Sequence, residues 1–165
     1  MKTFTVEDLM KHEPCVAYTP ERIAELFAGR ERINMLDVLD MDIPEEDIVW
    51  VFTRDGLAAT ERQQRQFALM CAVSVLDIFE AVRPGDNRVR GCLETVERYL
   101  RGEATNEELS AIAAVSWAAW DAAWDAARAA AWEAAWEAAL PPAWEAAWEL
   151  QLMFIHEIIT EEETQ

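Results

Sequence analysis

The chain has 165 residues, with 14 basic and 32 acidic side chains and a formal net charge of −18. With 52% hydrophobic residues, a chain of this length can bury a substantial core, which excludes wholesale disorder. The acidic excess argues against the common binders of nucleic acids and anionic membranes, because these present a basic face. We therefore expect a basic protein as partner, no direct nucleic-acid binding and no membrane association, and a homo-oligomer is compatible with the composition.

The three cysteines, Cys15, Cys71 and Cys92, are widely spaced. They match neither a disulfide framework nor a metal-binding CxxC pattern, so reduced, buried thiols are expected. Glu7 and Asp8 interrupt the N-terminal stretch where a secretion signal would be apolar, and no run approaches the roughly 20 apolar residues of a membrane span. These features predict a cytoplasmic protein.

Two proline-marked helix starts come first along the chain. Thr19 followed by Pro20 places a cap residue and then Pro at the first helical position, and Gly29 supplies a stop, which predicts a short helix over about 20–28. The acids behind Pro44 favour a second helix that continues into the apolar run at 48–52. Because that run is rich in β-branched residues, a strand is the competing interpretation.

Two longer helices are predicted next. Thr60 opens a capping box, and apolar residues at helical spacing then predict one core helix up to Pro84. These apolar residues are Phe67, Cys71, Val75, Ile78 and Phe79. Residues 87–101 carry another apolar stripe, formed by Val89, Leu93, Val96 and Leu100, and Gly102 ends it.

The character of the chain changes near Gly102. Residues 1–101 have a net charge of −6, whereas residues 102–165 have a net charge of −12 with Arg128 as their one base. A capping box at Thr105 opens a long Ala/Trp-rich helix near 106–139, Pro141-Pro142 break it, and a last helix is predicted near 143–160. We therefore predict an all-α fold: a single-domain helical bundle or array over 1–165, with short helices and core helices in 1–101 and an acidic helical segment in 102–165.

The last segment repeats a tetrapeptide of Trp, acid, Ala and Ala. Each step of four residues advances about 40° around a helix, so the Trp line drifts and contacts more than one neighbour. Trp120, Trp124 and Trp132 are expected to be mostly buried, since aromatic stripes at helical spacing are usually core. An interface and a ligand pocket are the alternatives for this stripe.

The acids of the repeat are the candidate partner-binding residues. They create a negative field that speeds encounter with a cationic partner, although a solvated face is the alternative interpretation. The candidates are Asp121, Asp125, Glu133, Glu137, Glu145 and Glu149. The last four are expected to form the continuous exposed patch.

Catalytic constellations are mostly missing from the sequence. His12 and His156 are the only histidines, so a His-rich metal site is excluded. Cys71 lies in an apolar helix, where a thiol is normally inert, and no Gly-rich phosphate loop is present. We therefore expect no catalytic residues, no metal, no cofactor and no enzymatic activity.

Three segments resemble one known family. They are LDMDIPEEDIVWVFTR at 39–54, RQFALMCAVSVLDIF at 65–79 and ERYLRGEATNEEL at 97–109, followed by an Ala-rich tail. Together they are similar to a helical family of immunity proteins, which occurs in bacterial toxin–immunity systems and in phage genomes. The resemblance covers roughly residues 30–140, and Arg65, Phe67, Ala68, Cys71 and Ala72 carry its helix motif. It implies a helical fold and a non-enzymatic binding role.

Three functions are compatible with these features. The first is an acidic protein that inhibits a basic protein partner, either as an immunity factor against a toxin or as a phage-encoded counter-defence inhibitor. The second is a nucleic-acid mimic that blocks a nuclease or another DNA-binding protein, because carboxylates four residues apart are about 6 Å apart along a helix. The third is a protein with a Trp-lined pocket for a nucleotide or another small molecule.

Overall fold

The computed structural model describes residues 1–112 and 141–163. This part of the chain contains nine helices and a two-stranded sheet, which confirms the all-α fold class. The helices are α1 (Val6–Met10), α2 (Pro20–Leu26), α3 (Met35–Leu39), α4 (Glu45–Thr53), α5 (Glu61–Ser74), α6 (Leu76–Val82), α7 (Arg88–Leu100), α8 (106–112, as far as it is described) and α9 (Pro141–Glu163). Strands β1 (Thr3–Phe4) and β2 (Ile33–Asn34) pair antiparallel, with Phe4 opposite Ile33.

The chain groups into two compact units. The N-terminal unit comprises Met1–Phe67 and Ala147–Gln165, and the middle unit comprises Ala68–Ala146. The two boundaries fall within α5 and α9. The single domain expected from the sequence stays a prediction.

The predicted helix starts are confirmed by their caps. Thr19 accepts a hydrogen bond from the Arg22 amide at 3.3 Å, with Pro20 at the first helical position of α2. Thr60 and Gln63 form the capping box that begins α5, with the Thr60 amide donating to Gln63 Oε1 at 2.7 Å. The Thr105 amide likewise donates to Glu108 at 2.8 Å at the start of α8. Each side chain satisfies an amide that the first helical turn leaves unpaired.

Two short helices and the small sheet were not predicted from the sequence. Capping boxes formed by Thr5 with Asp8 and by Asn34 with Asp37 begin α1 and α3 directly after the strands. At five residues each, α1 and α3 are too short to show an apolar period, and two-residue strands show no alternation. Only the caps carry a sequence signal here.

The residues around 48–52 form a helix, so the strand alternative is wrong. α4 buries Ile48, Val49, Val51 and Phe52, and Phe52 is completely inaccessible. The Phe52 ring packs edge-on against Phe67 of α5, with 5.3 Å between centroids. The carboxylates of the first turn stabilise the helix dipole and outweigh the β preference of the run.

The core of the N-terminal unit draws on most of its helices. Its fully buried side chains include Phe4, Ile23, Ile33, Met35, Val38, Phe52, Ile155, Ile158 and Ile159. Phe4 of β1 contacts Phe27 in an edge-on pair with 6.1 Å between centroids. Ile155, Ile158 and Ile159 thus place one side of α9 in this core.

The single core helix predicted from Thr60 to Pro84 is wrong, because α5 ends at Ser74 and α6 begins at Leu76. The Ser74 hydroxyl donates to the Cys71 carbonyl at 2.7 Å and so competes with helical pairing at this point. Val75, expected in the core, is 52% exposed, whereas Leu76 is buried.

In the middle unit, the predicted helix at 87–101 is confirmed as α7. Leu100 is buried and the other members of its predicted stripe are half-buried. Gly102 adopts a φ of +76°, which L side chains rarely adopt, and this ends the helix as the sequence predicts.

Most of the Trp/acid repeat lies outside the described residues. This holds for the expected long helix beyond residue 112 and for Trp120, Trp124 and Trp132. The last helix is longer than the predicted 143–160, since α9 begins at Pro141 and ends at Glu163. Prolines fit the first turn because its amides need no helical partner.

Replacing Phe52 by Ala tests the core. Because Phe52 is fully buried against Phe67, we expect Phe52→Ala to lower the free energy of unfolding by about 3–5 kcal/mol. Urea titration followed by circular dichroism measures this loss. The control is Val16→Ala at a 98% exposed position, which should stay within about 0.5 kcal/mol of the unmodified protein. Equal losses would contradict this description of the core.

Acid titration tests the cap of α1. Hydrogen bonds from Lys11 and then from Thr5 lower the pKa of Asp8 from 3.8 to about 2. Since the folded state lowers this pKa, the stabilising effect is present above about pH 4 and is lost as the pH falls towards 2. Asp8→Asn should therefore reduce the urea midpoint at pH 7, with a gap that closes in acid. The control is Asp42→Asn at an exposed position, which should leave the urea midpoint nearly unchanged. A difference in midpoint between Asp8→Asn and the unmodified protein that stays the same at pH 2 would refute the expectation.

Candidate functional site

The predicted partner-binding residues are only partly described. Asp121, Asp125, Glu133 and Glu137 lie outside the described residues. Glu145 belongs to the first turns of α9, and its side chain is not described. Glu149 is exposed on α9, as expected for a residue of an acidic surface.

The described part of α9 buries its isoleucines and exposes its acids together with two apolar side chains, Leu150 at 37% and Met153 at 66%. Ile155, Ile158 and Ile159 are almost inaccessible. Glu149, Glu157 and Glu161 are exposed, and we call these three residues the acidic face of α9. Glu161 accepts a weak hydrogen bond from Gln66 at 3.4 Å. α9 contains no Lys or Arg, so no base within the helix neutralises this face.

The basic side chains of residues 1–112 are largely engaged within the fold. Nine of them form ion pairs, each with acids of the same unit. They are Lys11, Arg22, Arg30, Arg32, Arg65, Arg88, Arg90, Arg98 and Arg101. Such exposed pairs contribute little stability individually, but they neutralise local charge.

Several of these pairs lower the pKa of their acids, as Asp86 and Glu80 illustrate. Arg88 donates to both carboxylate oxygens of Asp86 and lowers the pKa of Asp86 to about 2. Arg90 donates two hydrogen bonds of 2.7 Å to the Glu80 carboxylate and lowers the pKa of Glu80. Both acids therefore stay ionised at neutral pH, and each serves a local pair rather than an open surface.

Two of the residues considered for chemistry, Cys71 and His156, lie on α5 and α9. His156 is exposed on α9, and burial raises the pKa of the Cys71 thiol, which lowers its nucleophilic fraction. Within residues 1–112 and 141–163, no three His, Cys, Asp or Glu side chains come together as a metal site would require. No helix in the same ranges is both long and apolar enough to cross a bilayer.

The structure corrects the expectation that all three cysteines are buried. All three are free thiols, as predicted, but Cys15 is exposed and Cys71 and Cys92 are half-buried. Cys15 lies in the irregular segment between α1 and α2, where no apolar period buries it. Reduced thiols are therefore confirmed and full burial is wrong.

A cavity of about 80 Å³ lies in the N-terminal unit. Most of its wall is apolar, and it is lined by Leu9, Pro14, Cys15, Tyr18, Leu26, Phe27, Ile33, Val38, Met41, Ile43, Asp47, Trp50 and Val51. Asp47 carries the only charge among these side chains.

Tyr18 and Asp47 form the polar part of the cavity wall. The Tyr18 hydroxyl donates to Asp47 Oδ2 at 2.5 Å. Burial and then the Asp47 carboxylate raise the pKa of Tyr18, so the phenol keeps its proton and remains a donor. The second carboxylate oxygen, Oδ1, accepts no hydrogen bond from the described residues.

This pair was not predicted from the sequence. Tyr18 and Asp47 are 29 positions apart, and neither belongs to a motif. In the sequence, Asp47 is one of three consecutive acids at the start of α4, and nothing distinguishes it from the other two. A tertiary contact alone gives it a different environment from Glu45 and Glu46.

Comparisons with known proteins return no match for this chain among family models, curated proteins or solved structures.

Alkylation should distinguish the three cysteines. Cys15 is exposed, whereas burial raises the pKa of Cys71, so we expect iodoacetamide to modify Cys15 well before Cys71 or Cys92 at pH 7.5. Mass spectrometry of the proteolytic peptides over time measures the three rates. In urea the rates should converge, and faster modification of Cys71 in the folded protein would contradict the described burial.

Proposed function

We propose that the protein is a non-enzymatic acidic binding protein that inhibits a basic protein partner. The observation that carries this proposal is the acidic face of α9, formed by Glu149, Glu157 and Glu161 over a buried isoleucine stripe. The helix contains six acids and no Lys or Arg. A helix that packs on one side and presents unopposed carboxylates on the other is suited to a cationic partner.

The distribution of bases strengthens this proposal. Bases within residues 1–112 are engaged mainly by local acids, whereas residues 102–165 have a net charge of −12. The charge that remains available to a partner is therefore negative and concentrated towards the end of the sequence. Such a field increases the rate of encounter with a protein of opposite charge, and salt weakens the effect.

The immunity-type and counter-defence forms of this proposal come from the sequence resemblance. The segments at 39–54, 65–79 and 97–109 carry that resemblance. The proposal includes a cytoplasmic location, which suits a chain with three unpaired thiols.

Nucleic-acid mimicry is the second candidate. Glu157 and Glu161 are both exposed and four residues apart, so their backbone positions are separated by about 6 Å along the helix. A row of carboxylates at this spacing can occupy a groove that otherwise holds phosphates. Displacement of the protein from its captured partner by duplex DNA would favour mimicry, and failure of DNA to displace it would exclude mimicry.

Salt-dependent capture is the first test of the function. The immobilised protein is incubated with lysate of the host cell, and retained proteins are identified by mass spectrometry over a series of salt concentrations. The proposal predicts a retained basic protein whose recovery falls as salt rises, because exposed charges are screened. The activity of that purified partner should decrease when the protein is added. Retention without any salt dependence would refute the electrostatic basis.

Charge reversal is the sharper test. The variant carries Glu133→Lys, Glu137→Lys, Glu145→Lys and Glu149→Lys, which changes the formal net charge from −18 to −10. We expect folding to change little, because the sequence predicts an exposed patch for these four acids and single exposed substitutions shift stability by no more than about 0.5 kcal/mol. Binding to the captured partner should weaken at least about tenfold, mainly through slower association, as surface plasmon resonance measures.

The matched control reverses four exposed acids elsewhere: Glu31→Lys, Asp40→Lys, Asp42→Lys and Asp55→Lys. It has the same net charge, so it separates a local acidic surface from overall charge. We expect the control to bind within about threefold of the unmodified protein. Equal weakening of both variants would attribute binding to net charge alone. Unchanged binding by the first variant would show that its four reversed acids are a solvated surface and do not bind the partner.

A further inference from the structure

The cavity of the N-terminal unit has a chemical preference that its lining sets. Its wall is apolar over most of its surface, so it favours a small aliphatic group over water. At about 80 Å³ it accommodates only a few non-hydrogen atoms. A nucleotide or an aromatic cofactor is too large for it, and a short alkyl chain fits.

The polar atoms of the cavity wall determine which polar group a ligand with such an alkyl chain can carry. Asp47 holds the Tyr18 hydroxyl with Oδ2 at 2.5 Å, while Oδ1 remains without a partner among the described residues. The proton of Tyr18 is already used in this bond. The cavity therefore presents an available charged acceptor, which an ammonium group satisfies and a carboxylate or phosphate does not.

The aromatic side chains add to this preference. Tyr18 and Trp50 both line the cavity, and aromatic faces attract cations. The guanidinium of Arg54 lies 4.8 Å from the centre of the Trp50 ring, which is an instance of this attraction within the protein. Neither Arg54 nor Arg22 lines the cavity. Arg22 acts electrostatically on Tyr18 and pairs with Glu25 at 3.2 Å.

We propose that this cavity binds a short alkylammonium group, with its methylene chain among the apolar side chains and its ammonium on the carboxylate of Asp47. A free small amine and a lysine side chain both carry this group. The site is separate from the acidic face of α9 and does not depend on the proposed inhibitory function. A ligand of so few atoms binds weakly, with a Kd on the order of millimolar.

Protection of Cys15 provides the measurement, because this exposed thiol lies in the cavity wall. The protein is treated with iodoacetamide at constant pH and ionic strength in the presence of n-butylammonium chloride, n-butanol or sodium butyrate. We expect n-butylammonium to slow the alkylation of Cys15 severalfold at saturation, with a weaker effect of n-butanol and none of butyrate. The rates at Cys71 and Cys92 should not change, and they serve as internal references.

Two variants test the role of the carboxylate. Asp47→Asn keeps the size of the side chain and removes its charge, so n-butylammonium should bind roughly tenfold more weakly and lose its advantage over n-butanol. The matched control is Asp42→Asn, which removes one charge from an exposed neighbour that does not line the cavity. This control should retain the preference for the cation.

A third variant tests the volume. Ile43→Phe enlarges a half-buried side chain of the wall and should abolish protection by every probe. Circular dichroism and the melting temperature verify that each variant is folded. If a variant does not fold, the comparison of n-butylammonium, n-butanol and butyrate on the unmodified protein still decides the proposal.

The outcomes are distinct. Absence of protection by n-butylammonium, equal protection by n-butanol, or an unchanged preference in Asp47→Asn would overturn the proposal. Where n-butylammonium protects, Nα-acetyl-lysine N-methylamide then identifies the source: protection by this compound indicates the lysine side chain of a protein, and its failure indicates a free amine. In the four-site charge-reversal variant, n-butylammonium should protect Cys15 as it does in the unmodified protein. Failure of the proposed inhibitory function would therefore not change this result.

Discussion

Burial of α4 is the constraint on which the N-terminal unit depends, because one helix supplies both the centre of the core and part of the cavity wall. Phe52 lies against Phe67 with no exposed surface, whereas Asp47, Trp50 and Val51 line the cavity. Rotation of α4 to improve either contact would weaken the other. The cavity is therefore held open by a helix that is fixed elsewhere in the core, which is consistent with a preformed site.

The second constraint is electrostatic. A chain with 32 acids and 14 bases must either pair its acids or expose them to solvent. In residues 1–112 the bases are engaged in pairs such as Arg90–Glu80 and Arg101–Glu97, so this part has little free positive charge. α9 contains no Lys or Arg, and its described carboxylates, those of Glu149, Glu157 and Glu161, are exposed. The negative field thus follows from the separation of bases from acids along the sequence.

Local signals predicted more of this structure than long-range ones. The caps at Thr19, Thr60 and Thr105 are contained within four residues each, and all three were predictable. The break at Ser74 was not, since it depends on a side-chain bond to the backbone within an apolar period. The candidate sites differ in the same way. The exposure of Glu149 was predictable from the local pattern of acids in its helix, whereas the Tyr18–Asp47 pair forms only through the tertiary packing of α4. The acids at 121–137 lie outside the described residues and remain sequence predictions.

Both candidate sites favour cations, but they act over different distances. The acidic face of α9 acts through a field that extends about 10 Å at 0.1 M salt, and it requires no fixed geometry from its partner. Asp47 acts through one oxygen in a cavity of about 80 Å³, where only a donor within hydrogen-bond distance benefits. High salt should therefore weaken the first interaction strongly and the second much less, because partly buried charges are poorly screened. A cationic ligand of the cavity consequently needs the correct shape, whereas a partner of the acidic face needs mainly the correct charge.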